Sequence, residues 1–319
     1  MMDFLNFCRA AGLMPRDVAP DGRWHRCPTE SHPNSRNGAY KLSRDGGLGL
    51  AQDWAIHSEP MIWRPDASAP VVPIDRAAVA RRRADERSQI ASAIRSAREH
   101  FDSYERLREG HPYLAGKNLD MTGCFGLRTD DAGWLVVPMQ ISGALVSVQR
   151  INPDGEKLFW SGAPIRGANY TIERRSASLT VLCEGLATGL AIFAAVPTAR
   201  VVVAFNAGNL VRVAEALPRR GMAVVAADND LATEARSGIN PGVKAAHEAA
   251  TVLGCGIAVP TCIVGTDWLD YRNEKIEERK QVVRRGRVSE SSIRKAVDAE
   301  ISAAMLRGAA LLRGDDHAR

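Results

Sequence analysis

Apolar and polar positions follow two rhythms along this chain, and the change of rhythm divides it. From 178 to 266 there are short apolar runs, Leu179-Thr-Val-Leu-Cys183, Val201-Val-Val-Ala-Phe205, Met222-Ala-Val-Val-Ala-Ala227 and Gly256-Ile-Ala-Val-Pro260. Helically spaced stretches at 187–195, 210–217 and 241–253 separate them. Strands alternating with helices across short loops predict a parallel α/β sheet. Asn240-Pro241 opens the last helix, Asn as its cap and Pro in its first turn. From 113 to 177 the runs are Trp134-Leu-Val-Val-Pro-Met139, Ala144-Leu-Val-Ser-Val-Gln-Arg-Ile151 and Lys157-Leu-Phe-Trp160. Turns at Asp131-Ala-Gly133, Ser142-Gly143 and Pro153-Asp-Gly155 break them, which predicts a compact β-rich lobe.

The flanks differ again. Residues 1–65 mix turn residues with short strand-like runs around Arg23–Pro28 and Asn37–Leu42, after a short helix at 2–11, and read as a small α+β module. Residues 66–75 are a proline-rich, semi-rigid linker. Residues 76–112 are Ala-, Arg- and Glu-rich, and Ile90, Ile94 and Phe101 fall on one helical face. The parallel sheet occupies 178–271. The tail, 272–319, is helical, with Ser289 as a cap and Ile293, Val297, Ile301 and Met305 as a stripe that reads as core packing.

Composition narrows the class. Across 319 residues, 45% are hydrophobic and 25% charged, which excludes wholesale disorder and collagen-like or disulfide-scaffold chains. No apolar run reaches the ~18–20 residues that span a bilayer, and the start has neither basic region nor long apolar core. Six cysteines without a Cys-x-x-Cys pair read as reduced thiols in a cytoplasmic protein, used as small core residues. Net charge is +5, and residues 76–98 alone carry seven Arg against Asp85 and Glu86. That excess points to phosphate contact by Arg81, Arg82, Arg83 and Arg87, where the plainer reading is a solvated charged face. Arg284-Arg-Gly-Arg287 is a second basic run.

Three acids stand where such a sheet binds ligands, at the carboxyl ends of strands. Glu184 follows the first strand and precedes Gly185; Asp228 and Asp230 follow the third. An Asp-x-Asp alone is most often a solvated turn, and a Glu-Gly alone a strand-to-helix turn. Both at strand ends of one sheet predict convergence if the first and third strands are neighbours. Clustered carboxylates repel one another and pay for desolvation, and a divalent cation removes that cost. Oxygen ligands with no His or Cys nearby select Mg²⁺ or Mn²⁺. In the N-terminal module His25, Cys27 and His32 are the nearest approach to zinc ligands. The second ligand pair is missing, so the module is expected to be a zinc-ribbon-like fold without its metal, held by Trp24, Tyr40, Trp54 and Trp63. Those aromatics are also candidates for stacking on bases.

The motifs Val181-Leu-Cys-Glu-Gly-Leu-Ala-Thr-Gly189, Val203-Ala-Phe-Asn-Ala-Gly-Asn-Leu210, Val225-Ala-Ala-Asp-Asn-Asp230 and Asn240-Pro-Gly242 resemble the Toprim domain of the primases of satellite phages and conjugative plasmids. Tyr113-Leu-Ala, Leu135-Val-Val-Pro-Met, Gln149–Phe159 and Gly167-Ala-Asn-Tyr resemble the lobe preceding it there, so the resemblance covers roughly residues 110–271. It implies a Toprim-like sheet, Glu184 as catalytic acid/base and metal ligand, and Asp228 and Asp230 as metal ligands. It also implies Arg150 and Lys157 as contacts to template or incoming nucleotide, with Arg166 as a weaker match. Asp267-Trp-Leu-Asp270 resembles a late acidic motif with Leu269 in place of Asn, which makes Asp267 and Asp270 further ligand candidates.

The expectation is thus a DNA primase that makes short RNA primers on single-stranded DNA from nucleoside triphosphates by metal-dependent nucleotidyl transfer, in phage or plasmid replication. Ala115-Gly-Lys-Asn118 lacks the hydroxyl residue of a phosphate-binding motor loop, so a helicase on a separate chain is expected. A Toprim nuclease would share the acids, and a non-catalytic single-stranded-DNA-binding replication adaptor would need only the basic helix and the aromatics.

Overall fold

The computed structural model describes residues 3–57, 59–65, 76–218, 221–262, 264–283 and 289–310. The linker expected at 66–75 and the Arg284–Arg287 run lie outside them. The chain forms two compact units, residues 1–85 and 86–319.

In the first unit, helix α1 (Phe4–Ala10) begins at Asp3, whose carboxylate accepts a hydrogen bond from the Asn6 amide at 2.8 Å. Strands β1 (His25–Cys27), β2 (Gly38–Leu42), β3 (Gly49–Asp53) and β4 (Met61–Trp63) follow as an antiparallel sheet in chain order. Side chains alternate across such a sheet. One face buries Cys27, Tyr40, Leu42 and Ala51 against Phe4, Cys8 and Leu13. The Phe4 ring lies 5.4 Å from Trp63 and 6.3 Å from Tyr40. Trp63 and Tyr40 therefore hold the module as expected. Trp24 and Trp54 do not: they are 44% and 53% exposed, with the Arg26 guanidinium 5.6 Å over the Trp54 ring.

The buried Asp53 carboxylate ties the loops of this module together. It accepts from the Ser31 hydroxyl (3.0 Å), the Asn37 side-chain amide (3.1 Å) and the Ala55 amide (2.9 Å). Burial pushes its pKa up, but the Ala55, Ser31, Thr29 and Asn37 donors outweigh it and the pKa ends below the ordinary Asp value. The candidate zinc residues go to different neighbours. His25 stacks on Tyr40 (5.1 Å) and bonds Asp21 (3.0 Å), His32 meets the Ser31 hydroxyl (3.0 Å), and Cys27 is in the core.

Helix α2 (Arg76–Ser103) is one long helix. Of its expected apolar face, Ile94 packs on the core of the second unit whereas Ile90 is 43% exposed, and Ala97, outside that expectation, is fully buried. Arg81, Arg83 and Arg87 are exposed, and Arg82 donates to the Asp21 carbonyl at 3.3 Å. Strand β5 (Glu105–Arg106) and the short α3 (Pro112–Gly116) follow, then β6 (Arg128–Thr129), β7 (Leu135–Ile141), β8 (Ala144–Ile151) and β9 (Lys157–Phe159). These five strands form an antiparallel sheet in chain order, the β-rich lobe.

The chain then passes through β10 (Tyr170–Ile172), β11 (Leu179–Cys183), α4 (Leu186–Ala195), β12 (Ala199–Val203), α5 (Ala207–Ala216) and β13 (Met222–Ala226). It continues through α6 (Leu231–Ser237), α7 (Pro241–Leu253), β14 (Gly256–Ala258), α8 (Trp268–Val283) and α9 (Glu290–Ala310). The sheet order is β10-β12-β11-β13-β14, with β11 to β14 parallel and β10 antiparallel at the edge. Helices flank it on both faces, α5 and α7 on one, α4, α8 and α9 on the other. The β-rich lobe shares the second core, through Leu135, Val137, Met139 and Ile151. Ile293, Val297, Ile301 and Met305 are buried against it, as their spacing predicted. All six cysteines are unpaired and buried. Among the described residues no helix is long and apolar enough to cross a membrane.

Helices α8 and α9 are joined by a nearly buried ion pair, Arg272 Nε to Asp298 Oδ1 at 2.7 Å and a second bond at 3.2 Å. Asp298→Ala leaves the guanidinium buried without its partner. Such losses cost about 3–5 kcal/mol, so the urea midpoint of this variant is expected to drop markedly, and an unchanged midpoint contradicts the assignment.

Candidate functional site

The parallel register pairs Cys183 of β11 with Ala226 of β13, so the residues that leave these neighbouring strands emerge side by side. Glu184 is the first residue beyond β11, and Asp228 lies two beyond β13. β12 runs on along the same edge: the Phe205 amide donates to the Glu184 carbonyl at 2.8 Å. The adjacency on which convergence of the acids depended is therefore present.

The electrostatics show how closely these groups sense one another. Burial pushes Glu184 above the ordinary carboxylate range, and Asp230 and Asp267 push it the same way. The Ala207 amide, at the start of α5, and Lys157 oppose this. Asp228 is pushed up to about 8, first by burial, then by Glu184, Asp267 and Asp230, again against Lys157. Its Oδ1 is buried with no hydrogen-bond partner. An unsatisfied carboxylate oxygen in a buried anionic cluster is what a cation would relieve. Among the described residues, however, no three His, Cys, Asp or Glu side chains are drawn into a ready metal cage.

Each acid is aimed by its backbone. Asp230 opens α6, and its Oδ2 accepts from the Gly242 amide of α7 at 3.0 Å. A Cβ at position 242 would sit 2.4 Å from the Asp228 carbonyl oxygen, so only Gly lets α7 come this close. Asp267 Oδ1 accepts from the Leu269 (2.8 Å) and Asp270 (2.9 Å) amides, which anchors it at the start of α8. Asp270 turns elsewhere: its Oδ2 accepts from the Thr266 amide at 2.9 Å, and it is not among the charges acting most on Glu184 or Asp228.

The two basic residues of the β8–β9 hairpin separate. Register pairs Ile151 with Lys157 and Arg150 with Leu158, so alternation places Lys157 and Arg150 on opposite faces. The Lys157 face also carries Phe159, whose ring meets Phe205 edge-on at 6.4 Å. From there the Lys157 charge lowers the pKa of Glu184 and Asp228. Arg150 bonds the buried Asp130 at 2.6 Å and lies 4.8 Å over the Trp134 ring. Asp130 also accepts from the Ala132 and Trp134 amides at 3.0 and 2.9 Å. Sequence reading took this stretch only for a turn; an acid leading a tight turn between two strands was the available signal.

Arg166 is exposed beside a shallow recess at the start of α5, with Asn206, Gly208 and Arg212. Its loop is fastened by the buried Asn209, whose Nδ2 donates to the Ala168 and Ala204 carbonyls, both at 2.8 Å, while its Oδ1 accepts from the Gly167 amide.

Residues 179–278 match the family model of the Toprim domain. The chain is 30% identical over 254 residues to the DNA primase TraC of Escherichia coli, an alignment covering 73% of this chain and 23% of that relative. The chain thus spans about a quarter of the length of the curated relative it matches. Among solved structures, the primase fragment of the bacteriophage T7 primase-helicase protein aligns with a TM-score of 0.38 at 19% identity, over 56% of this chain and 74% of that one. Bacteriophage T7 lagging-strand DNA polymerase interacting with primase domains bound to an RNA/DNA hybrid and dTTP aligns with a TM-score of 0.37 at 15% identity, over 56% and 86%.

Proposed function

We infer that this chain, whose residues 179–278 are a Toprim domain, is a DNA primase: it joins nucleoside triphosphates into a short RNA primer on a single-stranded DNA template. The observation that carries the reading is the adjacency of β11 and β13, whose ends lead side by side into Glu184 and into the Asp228–Asp230 loop, with a buried Asp228 oxygen that has no hydrogen-bond partner.

Asp228, with Glu184 or Asp230, would hold Mg²⁺ or Mn²⁺, and water and phosphate would complete the shell. When bound, the cation supplies Lewis-acid polarisation of the phosphate and neutralises charge developing on it. Glu184 takes the proton of the primer 3′-hydroxyl, and its raised pKa makes it a stronger base than a solvated carboxylate. The bond from the 3′-oxygen to the α-phosphorus forms, the α–β bridging bond breaks, and pyrophosphate leaves. Lys157 neutralises phosphate charge on the face that carries the acids. Arg150 acts from the opposite face of the hairpin, stiffening the lobe through Asp130, and Arg166 is placed to meet nucleotide or template beyond α5.

The reading is tested by giving the protein labelled nucleoside triphosphates and, separately, labelled single-stranded DNA, with Mg²⁺ or Mn²⁺. Incorporation without cleavage supports it. Cleavage without incorporation makes the chain a Toprim nuclease, and neither, with DNA binding retained, makes it an adaptor.

Template contact draws on the basic start of α2, at Arg81, Arg82, Arg83 and Arg87, and on the exposed Trp24 and Trp54 of the N-terminal sheet. Base stacking on such rings contributes ~1–3 kcal/mol each. Trp24→Ala with Trp54→Ala is expected to weaken binding of a fluorescent oligothymidylate at least tenfold, read by anisotropy at fixed salt. Wild-type affinity in the double variant removes these rings from the template surface.

A further inference from the structure

Helix α6 follows Asp230 directly and buries none of its residues, so packing of α6 does not fix the loop that carries Asp228 and Asp230. One side chain does most of that work. Asn240 Oδ1 accepts from the Asp230 amide and from the Val243 amide, both at 3.1 Å. Its Nδ2 donates to Asn229 Oδ1 at 2.9 Å and to Glu234 Oε2 at 3.1 Å. Both donors of the amide are used, and its oxygen accepts two bonds, which is all a primary amide offers. The network continues outward: Asn229 Nδ2 donates to the Pro260 carbonyl at 2.9 Å, and the Asn229 amide to the Thr266 carbonyl at 2.6 Å. Asn240 thus ties together the Asp228–Asp230 loop, Glu234 of α6 and the first turn of α7.

We propose that Asn240 is a positioning residue for the divalent cation, acting through Asp230 and Asn229 on the orientation of the Asp228 and Asp230 carboxylates. A helix cap needs only the bond to the Val243 amide. The bonds to Asp230, Asn229 and Glu234 are surplus to capping, and all three partners lie in or next to the acidic loop. Partners one step out from a metal ligand typically carry 10–100-fold in metal affinity.

The proposal rests on the cation site described above, and the test separates the two. Ser is as good a helix cap as Asn, but it is too short to reach Asn229 and Glu234. The full chain and its Asn240→Ser, Asn240→Ala and Asp228→Asn variants are titrated with Mn²⁺, and free ion is counted by electron paramagnetic resonance. Circular dichroism and the thermal midpoint are read on the same samples. The expected result is that Asn240→Ser keeps its helix content and midpoint while its Mn²⁺ affinity falls 10–100-fold. Asn240→Ala should lose both affinity and some stability, and Asp228→Asn should lose the site. Wild-type Mn²⁺ affinity in Asn240→Ser, with Asp228→Asn still defective, overturns the role of Asn240 and leaves the cation site standing. Absence of Mn²⁺ binding by the wild type, or wild-type affinity in Asp228→Asn, overturns both. A fall in affinity matched by loss of the fold in Asn240→Ser makes Asn240 a cap and nothing more, and also overturns the proposal.

Discussion

Glu184→Gln is expected to reduce nucleotide incorporation on single-stranded DNA by ~10²–10⁴-fold, the usual contribution of a positioned general base. Gln keeps the length of Glu and an oxygen that can accept from the Ala207 amide, so the strand-to-helix turn survives. What it lacks is affinity for the proton of the attacking hydroxyl, and the charge that helps to hold a cation. Because burial and the neighbouring acids raise the Glu184 pKa, the wild-type rate should climb with pH until Glu184 is deprotonated, and the Gln variant should lose that limb of the profile. The variant should also fold at least as stably as the wild type, since one of several repelling charges is gone. Wild-type turnover in Glu184→Gln at saturating Mg²⁺ takes this residue out of the mechanism.

The second large effect concerns Asp228 and is larger without metal than with it. In the folded, metal-free chain Asp228 is pushed up to about 8 from an ordinary 3.8, by burial and then by Glu184, Asp267 and Asp230. The folded state therefore holds this proton more tightly than the unfolded state. Below about pH 4 both states are protonated and the group is neutral toward folding. From there to about pH 8 the unfolded chain gives up its proton first, and folding stability falls by up to ~1.4 kcal/mol per pH unit from this group. Above about pH 8 the loss levels off. Asp228→Asn removes this dependence, so in EDTA the variant is expected to melt higher than the wild type at pH 8. With Mg²⁺ the gap narrows: a bound cation stabilises the wild type by ~2.7 kcal/mol at a hundred times its dissociation constant, and the Asn variant has little affinity to draw on. Melting curves at pH 5 and pH 8, each with EDTA and with Mg²⁺, check the pH dependence and the narrowing. Equal melting of the two proteins in EDTA at pH 8 refutes the account of a buried, strained carboxylate.

Much of this is legible in the sequence alone. The short apolar runs at 179–183 and 222–227, alternating with helical stretches, point to the parallel sheet and to the edge where ligands bind. Asn240-Pro241 and the stripe from Ile293 to Met305 predicted helices that begin and pack where expected. Other features depended on contacts that spacing cannot express. The hairpin Arg150 and Lys157 share a strand pair, yet only register assigns their faces, and Asp130, distant by 20 residues, claims Arg150. Trp24 and Trp54 read as packing residues because large aromatics usually are. Both lie just outside a strand, Trp24 before β1 and Trp54 after β3, and each is about half exposed. Asn240 was legible as a cap, and nothing in the sequence linked it to Asn229 and Asp230, because that link requires α6 to loop out and return.

Crystals of the full chain grown or soaked with Mn²⁺ and measured at its absorption edge would locate the cation directly. An anomalous peak is expected at the carboxyl edge of β11 and β13, within coordinating distance of Asp228 Oδ1 and shared with Glu184 or Asp230. A fully loaded crystal with no peak there, or with its peak on other residues, would contradict the account.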